Sequence, residues 1–242
     1  MYGKNGINNL IKNALYIFLL VLVDLIVLFL LFHAARYLRI HVLPFFYSGF
    51  PNEAPFRKLS NAWWLFPVWL FFLFYEGLYT RRLSFWDEVN AVWKAAFFST
   101  VGIFAIVSIG KMSDIVSRIS IIFMGFLSLI FLPMVRIEAK RLLYRVAGLR
   151  RRVLILGAGE TGRLILKALR KEPNYGYDVI GFLDDDPAKA CVKVDGLKVH
   201  SGVERAASYL RAGRVSDIII AMPGAGKERI QNLINTLQHK AH

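Results

Sequence analysis

The chain has 242 residues, is 56% hydrophobic and carries a formal net charge of +14. That much apolar surface exceeds what a soluble domain of this length needs, so part of the chain belongs in lipid. A single cysteine, Cys191, excludes an internal disulfide and fits a reducing compartment.

In chain order, four stretches are long and apolar enough to cross ~30 Å of hydrocarbon as helices of ~20 residues. They lie at residues 14–32, 62–79, about 89–110 and about 115–135. The first is too long for a cleaved signal peptide, and no small-residue cleavage site follows it. Trp63, Trp64, Trp86 and Trp93 mark span edges, as interfacial aromatics do. Asp24 falls mid-span, where an unpaired carboxylate is costly. It reads as a carboxyl bonded to a neighbouring helix, near Lys94 or Ser99, rather than as part of an ion pathway. Pro67 and Pro133 are expected to kink or end their helices.

Of the 31 Lys and Arg, seven fall between residues 136 and 152, in "RIEAKRLLYRVAGLRRR". A polybasic stretch there faces anionic lipid. Basic charge is the sole sign of nucleic acid, so no nucleic-acid partner is expected. Arg81 and Arg82 lie in the short loop between the second and third spans, whereas the next turn carries Lys111, with Arg118 just inside the following span. This distribution predicts four crossings with both termini cytoplasmic. The loop at 33–61 disagrees mildly, with Arg36, Arg39, Arg57 and Lys58, and it holds Pro44, Pro51 and Pro55. It reads as an outer segment lying on the membrane surface.

From Arg151 the pattern changes. "RRVLILGAG" is a buried strand ending in glycine, and "TGRLILKALRKEP" follows with helical spacing. "YDVIGFLDDDP" is a second strand, and "VKVDGLKVHSG" a turn at Asp195-Gly196 leading into a third. "VERAASYLRAG" is a helix closed by Gly213, "VSDIIIAMPG" a strand and "KERIQNLINTLQHKA" a helix. Alternation of this kind predicts a Rossmann-like α/β domain with a parallel sheet. The final helix calls for a further strand to pack on, which suggests a piece of a longer protein. The fold class is thus a four-helix membrane bundle followed by an α/β domain. The expected boundaries are 1–135 for the membrane part, 136–150 for a basic juxtamembrane linker and 151–242 for the Rossmann-like part.

The motif "GAGETG" occupies residues 157–162, with a strand before it and a helix after. Gly157 allows the tight turn, Gly159 lets a phosphate approach the backbone, and Gly162 lets helix and strand pack closely. With Ala158, Glu160 and Thr161 they form the candidate cofactor-binding turn. Asp184, at the end of the second strand, stands where an acid could bind a ribose hydroxyl, with Asp185 beside it. The ligand would be a nucleotide such as NAD or a UDP-sugar; the same residues could equally serve only the turn and cap the following loop. Pro223 and Gly224 read as the turn at the edge of the same crevice.

No catalytic residue emerges. No Tyr-x-x-x-Lys pair occurs in the soluble half, and Ser201 and Thr161 have no evident base beside them. "AMPGAGKER" lacks the first glycine and the Ser/Thr of a phosphate loop. The five histidines are scattered, His239 and His242 at a loose end, so no metal site is expected.

"YEGLYTRRLSFWDEV", "RRVLILGAGETGRLIL", "GYDVIGFLDDDP", "VSDIIIAMPG" and "LINTLQHKA", in this order, resemble the large bacterial polyprenyl-phosphate sugar-1-phosphate transferases. That resemblance implies four amino-terminal membrane helices, a cytoplasmic CoA-binding-like Rossmann domain, and then a separate catalytic domain bearing an Asp-Glu pair. No catalytic residue carries over to this chain. The implied role is the accessory half of an enzyme that begins O-antigen, capsule or exopolysaccharide assembly at the bacterial inner membrane, with a homodimer expected. A second family has a similar front half: membrane-bound nucleotide-sugar 4,6-dehydratases, whose NAD-dependent domain has its own glycine fingerprint.

Overall fold

A computed structural model describes residues 4–46, 62–111, 117–146, 148–190 and 192–241. Pro51, Pro55, Arg57, Lys58, Cys191, His242 and the start of the fourth expected span lie outside the described residues. The chain divides into two compact units: Ile17–Leu142, and Met1–Tyr16 together with Leu143–His242.

In the helical unit, α1 (Lys4–Tyr37) passes through a π-turn (Leu38–Val42) into the short α2 (Leu43–Phe46). Then come α3 (Leu65–Tyr75), α4 (Phe85–Ile109) and α5 (Arg118–Val146). Their apolar runs leave Phe18, Leu30, Phe97, Phe126 and Ile130 facing outward, a distribution suited to lipid. Among the described residues, three helices are long and apolar enough to cross a membrane: Asn9–Phe46, Phe85–Ile109 and Arg118–Arg145. The expected second span yields only the 11 residues of α3, roughly 16 Å of helix at 1.5 Å per residue.

Local chemistry explains why α3 stops. Gly77 takes φ +76°, its N–H bonds the Phe74 carbonyl at 2.9 Å, and the Leu78 N–H reaches back to Leu73 at 3.2 Å. This pair of bonds is a Schellman cap, built by the "YEGLY" stretch. At the start of α4, Ser84 Oγ accepts from the Asp87 N–H at 3.3 Å, and two acids in the first turn suit the helix dipole. Pro67 sits in the first turn of α3, where it costs no hydrogen bond. Pro133 does not end α5, which continues through it to Val146, across most of the expected 136–150 linker. Helices α4 and α5 approach closely at Gly125, where a Cβ would lie 2.6 Å from Thr100 Oγ1.

Asp24 is fully buried, and its partners are neither Lys94 nor Ser99. Its Oδ2 accepts from the Tyr79 hydroxyl at 2.6 Å and from the Arg136 guanidinium. Arg136 Nε donates to Glu88 Oε1 at 2.8 Å, and its other terminal nitrogen donates to the Leu78 carbonyl at 2.6 Å. Lys140 Nζ completes the cluster on Glu88 Oε2 at 2.6 Å. Two acids and two bases thus meet in a buried, charge-balanced network joining α1, α4, α5 and the turn after α3.

In the α/β unit, the sheet runs β3-β4-β2-β1-β5. The strands are β1 (Arg151–Leu156), β2 (Tyr177–Asp184), β3 (Lys193–Val194), β4 (Leu197–Ser201) and β5 (Asp217–Ile220). The helices are α6 (Glu160–Lys171), α7 (Ala206–Arg211) and α8 (Lys227–Ala241). Strands β4, β2, β1 and β5 are parallel, but β3 runs antiparallel to β4, so the sheet is mixed rather than all-parallel. The Asp195-Gly196 turn makes the difference. Both residues have positive φ, +46° and +87°, as a two-residue type I′ hairpin requires.

Alternation along β1 divides the core into two layers. Leu154 and Leu156 pack with Leu183, Val203 and Ala206, against residues of α7 and α8. Ile155 packs with Phe182, Val199 and Leu166 of α6 on the other face. The first turns of α1 are tied into this unit: Asn9 Nδ2 reaches the Gly213 carbonyl at 3.4 Å, and Arg151 donates to Asn13 Oδ1 at 2.6 Å. The rings of Tyr16 and Tyr144 stack, with their hydroxyls 2.8 Å apart.

Candidate functional site

Strand β1 has β2 on one side and β5 on the other, so the connections diverge from its carboxyl end. In open α/β sheets that point is where ligands bind. The glycine-rich turn follows β1 there. Gly157 takes φ +104°, and a Cβ on it would lie 2.6 Å from the Ala221 carbonyl oxygen after β5. Gly162 is held still more tightly, because a Cβ would come within 2.1 Å of the Gly157 oxygen. These two glycines are dictated by packing. Gly159 differs: its φ is −85°, and a Cβ would meet nothing within 4 Å. The backbone is open at that position.

Gly159 is also the N-cap of α6, with no side chain bonding the first amides. The amides of Glu160, Thr161 and Gly162 lack intrahelical partners and carry the positive end of the helix dipole. A cleft of about 360 Å³ opens here, lined by Ala158, Gly159, Glu160, Arg163, Lys193 and Asp195. Arg163 Nε lies 3.3 Å from Asp195 Oδ2, so the β3–β4 hairpin is tethered to α6 beside the opening. Lys193 and Asp195 carry no motif, and the hairpin brings them to the turn; Arg163 is already there, one residue after the motif on α6. The donor set fits a phosphate, with backbone amides, an arginine and a lysine; the Glu160 carboxylate opposes it.

Asp184 and Asp185 sit at the end of β2 but are bonded within the fold. Asp184 Oδ2 accepts from the Ala158 N–H at 2.7 Å, and Oδ1 accepts from the Asp186 N–H at 2.9 Å. Lys189 Nζ stands 3.4 Å away. Partial burial pushes the Asp184 carboxyl up, but the two N–H donors and the Lys189 ammonium outweigh it and hold the group below its ordinary value. Asp185 Oδ1 accepts from the Val203 N–H at 2.8 Å, and Oδ2 pairs with Arg229 at 2.6 Å. Pro223 and Gly224 follow β5 in a turn closed by an Ala225 N–H to Met222 bond at 3.1 Å.

A profile of the CoA-binding domain matches residues 72–241. The undecaprenyl-phosphate galactose phosphotransferase of Salmonella typhimurium is 31% identical over 144 residues, covering 58% of this chain and 29% of that protein. The UDP-galactose-lipid carrier transferase of Erwinia amylovora is 34% identical over 124 residues, covering 50% and 25%. A probable polysaccharide biosynthesis protein of Bacillus subtilis, EpsC, is 32% identical over 82 residues, covering 34% and 14%. The chain thus spans less than a third of the length of each. It belongs to the CoA-binding domain family, and its relatives bear out the resemblance to the polyprenyl-phosphate sugar phosphotransferases.

Proposed function

We propose that this chain is the membrane-anchoring and regulatory half of a polyprenyl-phosphate sugar-1-phosphate transferase, acting at the bacterial inner membrane in O-antigen, capsule or exopolysaccharide assembly. The observation that carries this reading is a single profile match running from the apolar helices into the α/β unit, with sugar-phosphate transferases among the relatives. The residues gathered here include no nucleophile paired with a base, so bond-making belongs to a catalytic domain that works with this chain. Its own contribution is to anchor, to pair with a second copy and to sense a nucleotide.

Four crossings belong to this reading, with α3 and its flanking turns as the second. Charge parity supports the assignment. Given a cytoplasmic amino terminus, three crossings would leave Arg81 and Arg82 and the basic cluster at 136–152 on the outer side, against the usual bias of Lys and Arg. With four, both are cytoplasmic.

The glycine-rich turn would hold the pyrophosphate of a nucleotide such as a UDP-sugar, NAD or CoA. Gly159 and the first amides of α6 would meet the phosphates, with Arg163 and Lys193 beside them. The purified chain should transfer no sugar phosphate from a nucleotide sugar to undecaprenyl phosphate. It should gain thermal stability with at least one of these ligands, and Gly159→Arg should abolish the gain. Turnover by the chain alone would overturn the non-catalytic reading. A ligand response unchanged in Gly159→Arg would make the turn purely structural.

A further inference from the structure

A second cleft, of about 410 Å³, lies in the α/β unit away from the glycine-rich turn. It opens at the amino ends of the strands: Arg152 and Asp178 belong to the first residues of β1 and β2, and Ser216 directly precedes β5. Four cations from three separate parts of the chain line it: Lys12 of α1, Arg150 and Arg152, and Arg214. Asp178 is its single acid.

The cations are not there to neutralise neighbours. Among the described residues, no ion pair joins Lys12, Arg150, Arg152 or Arg214 to a carboxylate. The adjacent Arg151 marks the contrast. It is bonded to Asn13 and lies 3.5 Å from Asp217, where it ties α1 to the sheet. Its two sequence neighbours, Arg150 and Arg152, line the cleft instead. Four like charges held around one opening repel each other unless an anion sits among them. Asn9, bonded to Gly213, fixes the wall that α1 supplies. Lys12 stands two residues before the 19-residue apolar run that begins at Ala14. A basic pocket beside the start of a span is placed for the phosphate of a membrane lipid.

We propose that this cleft is a binding site for a phosphate-bearing anion, with Lys12, Arg150, Arg152 and Arg214 as its ligands and Asp178 as a charge that weakens it. It is independent of the glycine-rich turn and needs no nucleotide there.

The test uses the whole chain in nanodiscs. Native mass spectrometry measures retained phosphatidylglycerol in a phosphatidylcholine background, and thermal shift in pure phosphatidylcholine measures the response to pyrophosphate. The triple variant Lys12→Gln, Arg150→Gln, Arg152→Gln is compared with Lys167→Gln, Lys198→Gln, Arg211→Gln, which removes the same charge from exposed positions elsewhere. The first triple should weaken anion binding by roughly fivefold per cation removed, and the second should change it far less. Asp178→Asn should strengthen it, and this single exposed change stays informative if the first triple misfolds. Retained lipid without a pyrophosphate response assigns the site to a headgroup; the reverse assigns it to a soluble phosphate. Equal behaviour of the two triples, or no gain in Asp178→Asn, overturns the proposal.

Discussion

Trp93 of α4 donates its indole N–H to the Leu129 carbonyl of α5 at 2.8 Å. Leu129 is the residue whose carbonyl Pro133, four positions on, cannot reach, because proline has no N–H. The bond between helices therefore replaces the one the proline removes. Trp93→Phe should cost about 1 kcal/mol in the wild-type background. In a Pro133→Ala background, where the helix supplies its own donor, the same change should cost much less. A double-mutant cycle on unfolding in detergent measures the difference, and equal costs would refute the replacement.

The network around Arg136 makes a second prediction. Removing its guanidinium leaves the buried carboxylates of Asp24 and Glu88 facing each other with Lys140 alone to offset them. Arg136→Met should destabilise the helical unit by about 3–5 kcal/mol. Arg136→Lys should recover little, because one ammonium cannot reach Asp24, Glu88 and the Leu78 carbonyl together. Pairing Arg136→Met with Asp24→Asn should be less damaging than the sum of the single changes. Thermal midpoints and yields of the four proteins check this.

The glycines of the turn should separate by mutation. Gly162→Ala drives a methyl into the Gly157 carbonyl and should cost about 1–3 kcal/mol. Gly159→Ala places a methyl in open space at an ordinary φ and should cost under about 1 kcal/mol. Denaturant midpoints distinguish the two.

Asp184 sets an acid limit. Its folded-state pKa is held below the unfolded value of ~3.9, so its charge stabilises the fold above that pH. The contribution is lost as pH falls through the lower folded value, because the unfolded chain takes up the proton first. Stability of the wild type should therefore drop more steeply below about pH 4 than that of Asp184→Asn, which lacks the group. The two curves should run parallel above about pH 6. Parallel curves at all pH values would refute the linkage.

Glu160 should have opposite effects on fold and ligand. As an acid in the first turn of α6 it favours the helix dipole, so Glu160→Gln should lower stability by about 0.3–1 kcal/mol. If the turn holds a nucleotide as proposed, the same carboxylate repels its phosphate, so the variant should bind that nucleotide roughly two- to fivefold more tightly. Calorimetry on both proteins tests this.

The parallel strands β1, β2 and β5 were legible because each is a short run rich in Val, Ile and Leu that gives way within a few residues to Gly, Asp or Pro. Strand β3 was not: two residues carry no periodicity, and its pairing follows from the positive φ of Asp195. Hydropathy found the apolar stretch at 62–79 but could not see that Gly77 caps the helix early. The partner of Asp24 was hidden by distance, since Arg136 lies 112 residues away. A basic residue in the last long apolar helix was the available signal, and it was read as part of a surface cluster. The tie between α1 and the sheet rests on Asn9 and Asn13, two polar residues in what reads as a lead-in. At the turn, spacing located the glycines, but the separate reasons for Gly157, Gly159 and Gly162 emerge only from what a methyl would touch.

The bond from Ala158 to Asp184 bears on selectivity. A sugar hydroxyl arriving at the end of β2 would meet a carboxylate that already accepts from two amides and an ammonium, with room for one further donor on Oδ1. It would share that oxygen with the Asp186 N–H rather than hold it alone. If a nucleotide occupies the turn as proposed, deoxygenating its ribose should then change affinity less than removing a phosphate does.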